Sequence, residues 1–215
     1  MAMNRFREPD MAKDCCETNC TVDQAKSPRY RRVLWIALWI NATMFAVEIV
    51  SGMKAGSVSL LADSLDFLGD AANYGISLWV LGMGVTIRAR ASLLKAVSMA
   101  VFGIWVLGNT VWHAVAGTMP NAETMGMVGA LALAANLSVV GLLYAYREGD
   151  SNMRSVWLCT RNDALGNIAV MLAAFGVILT GSAWPDLFVA LMMAGLALSS
   201  AWQVIRQARG ELTTA

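Results

Sequence analysis

The chain has 215 residues, of which 57% are hydrophobic and only 14% are charged, and its mean hydropathy is +0.54. A water-soluble domain is about a quarter charged, so this composition excludes an ordinary soluble protein and indicates a membrane protein. The net charge of +1, from 16 basic and 15 acidic residues, gives no reason to expect nucleic acid as a partner. The polar N-terminal segment carries no secretory signal, and we predict that it stays in the cytoplasm.

Six apolar runs are long enough to cross a bilayer as helices, which takes about 20 residues each. We therefore predict an all-α, polytopic membrane protein with spans near Val33–Met53, Val58–Met83, Leu93–Ala116, Thr124–Tyr144, Ser155–Leu179 and Ala183–Ile205. Gly, Pro and charged residues mark the connectors, which are Lys54–Ser57, Arg88–Arg90, Gly117–Asn121, Arg147–Asp150 and Thr180–Ser182. The predicted organisation is a flexible cytoplasmic arm over 1–31, a six-helix transmembrane domain over 32–206 and a short cytoplasmic tail over 207–215 with no further domain.

The basic residues predict the orientation of these spans, because Lys and Arg in short loops prefer the cytoplasmic side. Fourteen of the 16 lie in the arm, in the connectors near 88–95 and 147–154, or in the tail. Among the three opposite connectors, only the first has a basic residue, Lys54. We predict that both termini are cytoplasmic and that the protein lies in the inner (cytoplasmic) membrane of the cell.

The second span carries three aspartates, and an ionised side chain near the bilayer centre costs at least about 2.5 to 3.5 kcal/mol. Asp66 and Asp70 are four residues apart, so they stack on one helix face with Cβ atoms roughly 5 to 6 Å apart. A proton on one of them, or a cation between them, relieves their repulsion. The structural alternative is pairing with Arg161 or hydrogen bonding between helices. Asp63 lies off that face, where capping or packing is the expected role.

The fifth span repeats the spacing with Cys159 and Asp163. Brought together with Asp66 and Asp70, these residues form a set of one sulfur and three oxygen ligands suited to tetrahedral Zn²⁺ or a similar ion. A thiolate favours a soft or borderline metal over Mg²⁺ and Ca²⁺, which prefer more oxygen ligands. A lone cysteine is usually a small buried hydrophobe, and only its spacing from Asp163 favours ligation by Cys159.

The charge of this set predicts how it exchanges ions. Three carboxylates and a thiolate carry −4 against +2 on the metal, so protons load the set when the metal leaves, and metal and protons compete for it. The arm holds a second cysteine group, Cys15, Cys16 and Cys20, which the cytosol keeps as reduced thiols. Two roles are considered for that group: the cysteines capture a metal ion near the cytoplasmic entrance of the bundle, or they belong to an inert flexible tail.

The sequence resembles the cation diffusion facilitator family of divalent metal transporters over nearly the whole membrane region. The stretch from Gly56 to Asp70 is similar to the family's second-helix signature, and Asp163–Asn167 is similar to its fifth helix. Weaker matches are Asn41, Glu48 and Gly52 on the first helix, Asn136 on the fourth and Trp184–Asp186 at the start of the sixth.

This resemblance implies a homodimer of six-helix protomers that exports zinc or related ions from the cytoplasm by proton antiport, with alternating access to one intramembrane site. The family's ligand positions correspond to Asp66, Asp70, Cys159 and Asp163. No cofactor is expected, and Zn²⁺ or Cd²⁺ is the transported substrate. The family usually has His or Asp in place of Cys159, so the thiol is expected to shift preference toward Cd²⁺ beside Zn²⁺.

The other expected difference is at the C-terminus, where family members commonly continue into a cytoplasmic metal-binding domain and this sequence stops at Ala215. The dimer is therefore expected to form through helices in the membrane. A non-transporting metal sensor or partner subunit is the main alternative function, and a passive channel is a weaker one, because a tight four-ligand site holds a metal too firmly for fast permeation. No pattern typical of an enzyme active site is present.

Overall fold

The computed structural model describes residues 28–79, 85–144 and 151–214, without the side chains of 85, 88, 151–162, 211 and 214. Six helices follow one another in these ranges: α1 (Pro28–Ala55), α2 (Val58–Trp79), α3 (Val85–Ala116), α4 (Ala122–Tyr144), α5 (Ser151–Thr180) and α6 (Trp184–Thr214). The described residues form no strand. The prediction of an all-α, polytopic six-helix protein is confirmed.

Five of the six helices, all except α2, are long and apolar enough to cross a membrane. At 1.5 Å per residue, the 22 residues of α2 span about 33 Å, which also suffices for a hydrocarbon core of about 30 Å. Every membrane-length stretch of α2, however, contains its three aspartates. This helix packs against α1, α3, α5 and α6, so its neighbours shield the span with the most acidic residues from lipid.

Several helix boundaries differ from the predicted spans, and α1 and α5 begin at Pro28 and Ser151, before Val33 and Ser155. The second span was predicted to reach Met83, whereas α2 ends at Trp79 and residues 80–84 lie outside the described ranges. The predicted connector Arg88–Arg90 is wrong, because these residues lie in α3, which begins at Val85. The sixth helix continues past the predicted end at Ile205 to Thr214. Arg, Ala, Leu and Gln are good helix formers. The charged residues at the start of α3 and near the end of α6 therefore continue these helices and do not end them.

The end of the bundle opposite the termini is closed by short, well-bonded connectors. Gly56 and Gly117 follow α1 and α3 with φ of 64° and 66°, a left-handed conformation that glycine adopts without steric cost. Asn121 caps α4, its Oδ1 accepting a hydrogen bond from the Thr124 amide at 2.8 Å. The amide of Asn121 donates to the Ala55 carbonyl at 2.8 Å, which ties the α3–α4 connector to the end of α1.

At the same end, a carboxylate from α6 caps the start of α2. Asp186 Oδ2 accepts a hydrogen bond from the Val58 amide at 2.9 Å, and Oδ1 accepts from the Ser59 amide at 3.0 Å and from Ser57 Oγ at 2.7 Å. The side chain is only 1% exposed. The unpaired amides and the positive end of the helix dipole compensate its charge. Asp186 therefore fixes α2 to α6 at the closed end.

The backbones of α1 and α2 approach each other closely at Gly52, which is buried. A Cβ atom on Gly52 would lie 2.9 Å from Leu61 Cδ2 and 3.2 Å from the Leu61 backbone nitrogen. Small residues at helix contacts permit such an approach in membrane proteins. Because a backbone atom cannot move aside as a side-chain end can, we expect this position to accept only glycine.

Replacing Gly52 with alanine tests this contact. We expect Gly52→Ala to lower the stability of the protein by about 1 to 3 kcal/mol, since the added methyl overpacks the α1–α2 interface. The matched control is Gly108→Ala, where an added Cβ meets no atom within 4 Å. The measurement is the midpoint of thermal unfolding in detergent. Equal midpoints for the two variants would contradict the packing described at Gly52.

Candidate metal-binding site in the bundle

Two of the four predicted ligands, Asp70 and Asp163, meet where α2 packs against α5, and a third, Asp66, lies one turn away on α2. Asp66 and Asp70 lie one turn apart on α2, and the carboxyl group of Asp163 from α5 is within hydrogen-bonding range of that of Asp70. Asp163 also lies within electrostatic range of Asp66. All three side chains are half-buried. Two helices that are far apart in sequence therefore bring like charges together inside a membrane-spanning bundle.

The fourth predicted ligand, Cys159, has its side chain outside the described residues, as does Arg161, the alternative partner of Asp66 and Asp70. The cysteines of the arm, Cys15, Cys16 and Cys20, also lie outside them. The backbone of α5 is helical through Cys159 and Asp163, so the two keep the predicted four-residue spacing. Among the described side chains, no three of the types His, Cys, Asp and Glu are grouped closely enough to hold one metal ion.

A glycine on α5 lies beside the carboxylates of α2. A Cβ atom built on Gly166 would lie in ordinary contact with them, 3.8 Å from Asp66 Oδ2 and 3.7 Å from Asp63 Oδ1. Its nearest neighbour would be Met193 Cε of α6, at 3.2 Å. Gly166 therefore lies where α2, α5 and α6 pack together at the candidate site.

Beside Asp70, α3 contributes a cation that the sequence analysis did not assign to the site. The ammonium group of Lys95 donates a hydrogen bond to Asn73 Oδ1 and attracts the carboxylate of Asp70. Asn73 is three residues after Asp70 and so shares its helix face. Tyr74 adds a long hydrogen bond of 3.4 Å from its hydroxyl to Asp70 Oδ2. An ionisable residue inside the predicted third span was the available signal for Lys95.

Asp63 has different partners from Asp66 and Asp70. It is fully buried, and its Oδ2 accepts a hydrogen bond of 2.7 Å from Asn167 Nδ2 on α5. Ser57 and Asp186 cap α2, so the capping role considered for Asp63 is wrong. The packing role is the one that its hydrogen bond supports.

Burial changes sharply along α2 at the candidate site. Every residue from Val58 to Leu65 is buried, whereas most residues from Asp66 to Trp79 are half-buried or exposed. The half-buried carboxylates therefore begin where the closed half of α2 ends. The half of α2 that carries Asp66 and Asp70 is thus less densely packed than the half at the closed end.

The chain is similar to several bacterial proteins that are named as metal transporters or metal efflux proteins. The zinc transporter ZitB of Escherichia coli is 30% identical over 199 residues, which cover 85% of this chain and 62% of ZitB. The metal cation efflux system protein CzcD of Cupriavidus metallidurans is 25% identical, with 81% of this chain and 59% of CzcD covered. A cadmium, cobalt and zinc/H⁺-K⁺ antiporter of Bacillus subtilis is 22% identical, with 82% and 61% covered. The chain thus spans about three fifths of the length of these relatives.

Residues 34–213 match the cation efflux transmembrane domain, a range that includes both the second-helix and the fifth-helix motifs. The matched range also contains all four predicted ligand positions and Asp186. The resemblance inferred from the motifs is therefore confirmed, and the chain belongs to the cation efflux, or cation diffusion facilitator, family.

Proposed function

We propose that this protein carries Zn²⁺ or Cd²⁺ out of the cytoplasm in exchange for protons. The observation that carries the proposal is the meeting of Asp163 on α5 with Asp70 on α2, one turn from Asp66, inside a bundle of the cation efflux family. The names of the relatives, a zinc transporter and a cadmium, cobalt and zinc antiporter, support these metals. The family supports a transporter and not a catalytic enzyme.

The proposed ligands are Asp66, Asp70, Cys159 and Asp163. A divalent ion between α2 and α5 would draw the carboxylates together, because its charge replaces their mutual repulsion with attraction. One sulfur and three oxygen atoms suit a tetrahedral zinc-like ion, and the thiolate favours softer ions such as Cd²⁺. In this account the carboxyl pair of Asp70 and Asp163 is the part of the site that exists before the metal arrives.

Proton exchange follows from the charge of the same ligands. Three carboxylates and a thiolate cannot all remain ionised within a bilayer once the metal has left. Protons then take the place of the metal, so metal binding and proton binding exclude each other. A carrier with such a site exchanges metal for protons whenever it is exposed alternately to the two sides.

The Asp186 cap and the short connectors close the end of the bundle opposite the termini. If the termini are cytoplasmic, as the basic residues predict, this closed end faces away from the cytoplasm. Export then requires that this end opens. The bacterial sources of the relatives support the inner membrane as the location, and the homodimer stays a prediction.

Neutralising the site carboxylates tests the proposed function. In proteoliposomes with an imposed pH gradient, we expect Asp66→Asn and Asp163→Asn each to lower Zn²⁺ and Cd²⁺ uptake about tenfold or more, since each removes a charged ligand. The control is Glu123→Gln, which removes an exposed carboxylate at the start of α4. Uptake at the wild-type rate in both site variants would contradict the proposal. Metal binding by the wild-type protein without any uptake would favour the alternative function, a non-transporting metal sensor or partner subunit.

Lys95 gives a second prediction, because its ammonium group repels a divalent ion bound at Asp70. We expect Lys95→Met to lower the dissociation constant for Zn²⁺ roughly three- to tenfold, and Lys95→Arg to leave it near the wild-type value. The control Lys54→Met removes the same charge from an exposed position at the opposite end of the bundle. The measurement is metal binding by titration calorimetry. Weaker binding in Lys95→Met would show that the lysine supports the site and does not compete with the metal.

A further inference from the structure

Four buried polar side chains, one from each of four helices, form a connected group beyond the candidate metal site. Asn136 Nδ2 on α4 donates to Asn167 Oδ1 on α5 at 2.9 Å, and Asn167 Nδ2 donates to Asp63 Oδ2 on α2 at 2.7 Å. The carboxyl group of Glu48 on α1 in turn faces that of Asp63. All four side chains are at most 1% exposed.

The carboxyl end of this group lacks hydrogen-bond donors. Among the described residues, neither oxygen of Glu48 has a hydrogen-bond partner, and neither does Asp63 Oδ1. The ionisable groups that act on Glu48 are Asp63 and Asp66 of α2, and Asp163 of α5 interacts with Asp63. All of these are acids. The other two members of the group, Asn136 of α4 and Asn167 of α5, contribute neutral side-chain amides.

Two facing carboxylates with no donor between them are unstable in a low dielectric, because each charge is desolvated and repels the other. A proton bound to one carboxyl group removes one charge and supplies the missing donor for the other. The hydrogen bond from Asn167 to Asp63 Oδ2 favours the ionised form of Asp63. The proton therefore lies on Glu48, which donates it in a hydrogen bond to the free Oδ1 of Asp63. The geometry of the group therefore fits a binding site for one proton between Glu48 and Asp63.

The pair lies nearer than Asp66 to the closed end of the bundle. Glu48 is seven residues before Ala55, where α1 ends, and Asp63 is five residues after Val58, where α2 begins. Asp66 follows Asp63 by three residues, in the direction away from the closed end. When the closed end opens, a proton entering from that side reaches the pair before it reaches Asp66.

We infer that Glu48 and Asp63 form a proton-binding site, separate from the metal ligands, that supplies one of the protons exchanged for the metal. This inference rests on the proposed function. The pair holds a proton in the metal-free protein, and the positive charge of a metal bound at Asp66 drives that proton off. Asn136 and Asn167 position Asp63 and do not touch the proton.

Counting protons released on metal binding tests the inference with Glu48→Gln, whose amide mimics the protonated acid. Zn²⁺ is added to detergent-solubilised protein in weakly buffered solution near neutral pH. We expect Glu48→Gln to bind Zn²⁺ with a dissociation constant within about threefold of wild type and to release about one proton fewer per metal bound. The control Glu123→Gln should release as many as wild type. Equal proton counts in Glu48→Gln and wild type would overturn the inference, and so would loss of Zn²⁺ binding by a folded Glu48→Gln, since Glu48 would then act as a ligand.

A second measurement needs no substitution and decides the matter if Glu48→Gln does not fold. Of the glutamates whose side chains the structure describes, Glu48 alone is fully buried. Infrared difference spectra of wild-type protein labelled with ¹³C-carboxyl glutamate should show a protonated glutamic acid band that disappears on adding Zn²⁺. Absence of that band would overturn the inference. Neither measurement depends on transport, so a failure of gradient-driven uptake would count against the proposed function alone.

Discussion

A carboxylate inside a bilayer needs a compensating partner, and the arrangement of this bundle follows from how each buried acid meets that need. Asp186 is compensated by the amides at the start of α2. Asp63 is hydrogen-bonded by Asn167, and Asp70 is attracted by Lys95. All of these interactions converge on α2, which the other helices shield from lipid. The helix with the most acidic residues among the described helices is therefore also the one that packs against the most neighbours.

The two halves of α2 are held differently. At the closed end, the Asp186 carboxylate binds the first amides of α2, and Gly52 of α1 lies against the side chain and backbone of Leu61. Beyond Leu65 the helix is mostly half-buried, and its polar contacts include those with Lys95 and Tyr74. An opening of the closed end therefore either breaks the cap or moves the starts of α2 and α6 together.

The sequence predicted the parts of this structure that depend on local spacing. The six apolar runs and the four-residue spacing of Asp66 with Asp70 lie within single helices, so periodicity alone identifies them. One contact across helices, that of Asp163 with the α2 carboxylates, was predicted from the motifs and the family resemblance. The others were not predicted, because they join residues far apart in the chain: 129 residues for Ser57 with Asp186 and 104 for Asp63 with Asn167. The charged stretch Arg88–Arg90 was also wrongly interpreted as a connector between two spans, whereas it lies within α3. Lys95 lies near the same stretch, and it was therefore used only to predict the orientation of the spans in the membrane.

In the proposed site, one thiolate and three carboxylates from α2 and α5 bind a single divalent metal. X-ray absorption spectroscopy of the Zn²⁺-loaded protein measures these ligands, using a variant in which Cys15, Cys16 and Cys20 are serines so that the arm adds no sulfur. We expect four ligands, with one sulfur at about 2.3 Å and three oxygens at about 2.0 to 2.2 Å, and loss of the sulfur in Cys159→Ser. A first shell of oxygen and nitrogen only, or one unchanged by Cys159→Ser, would contradict it.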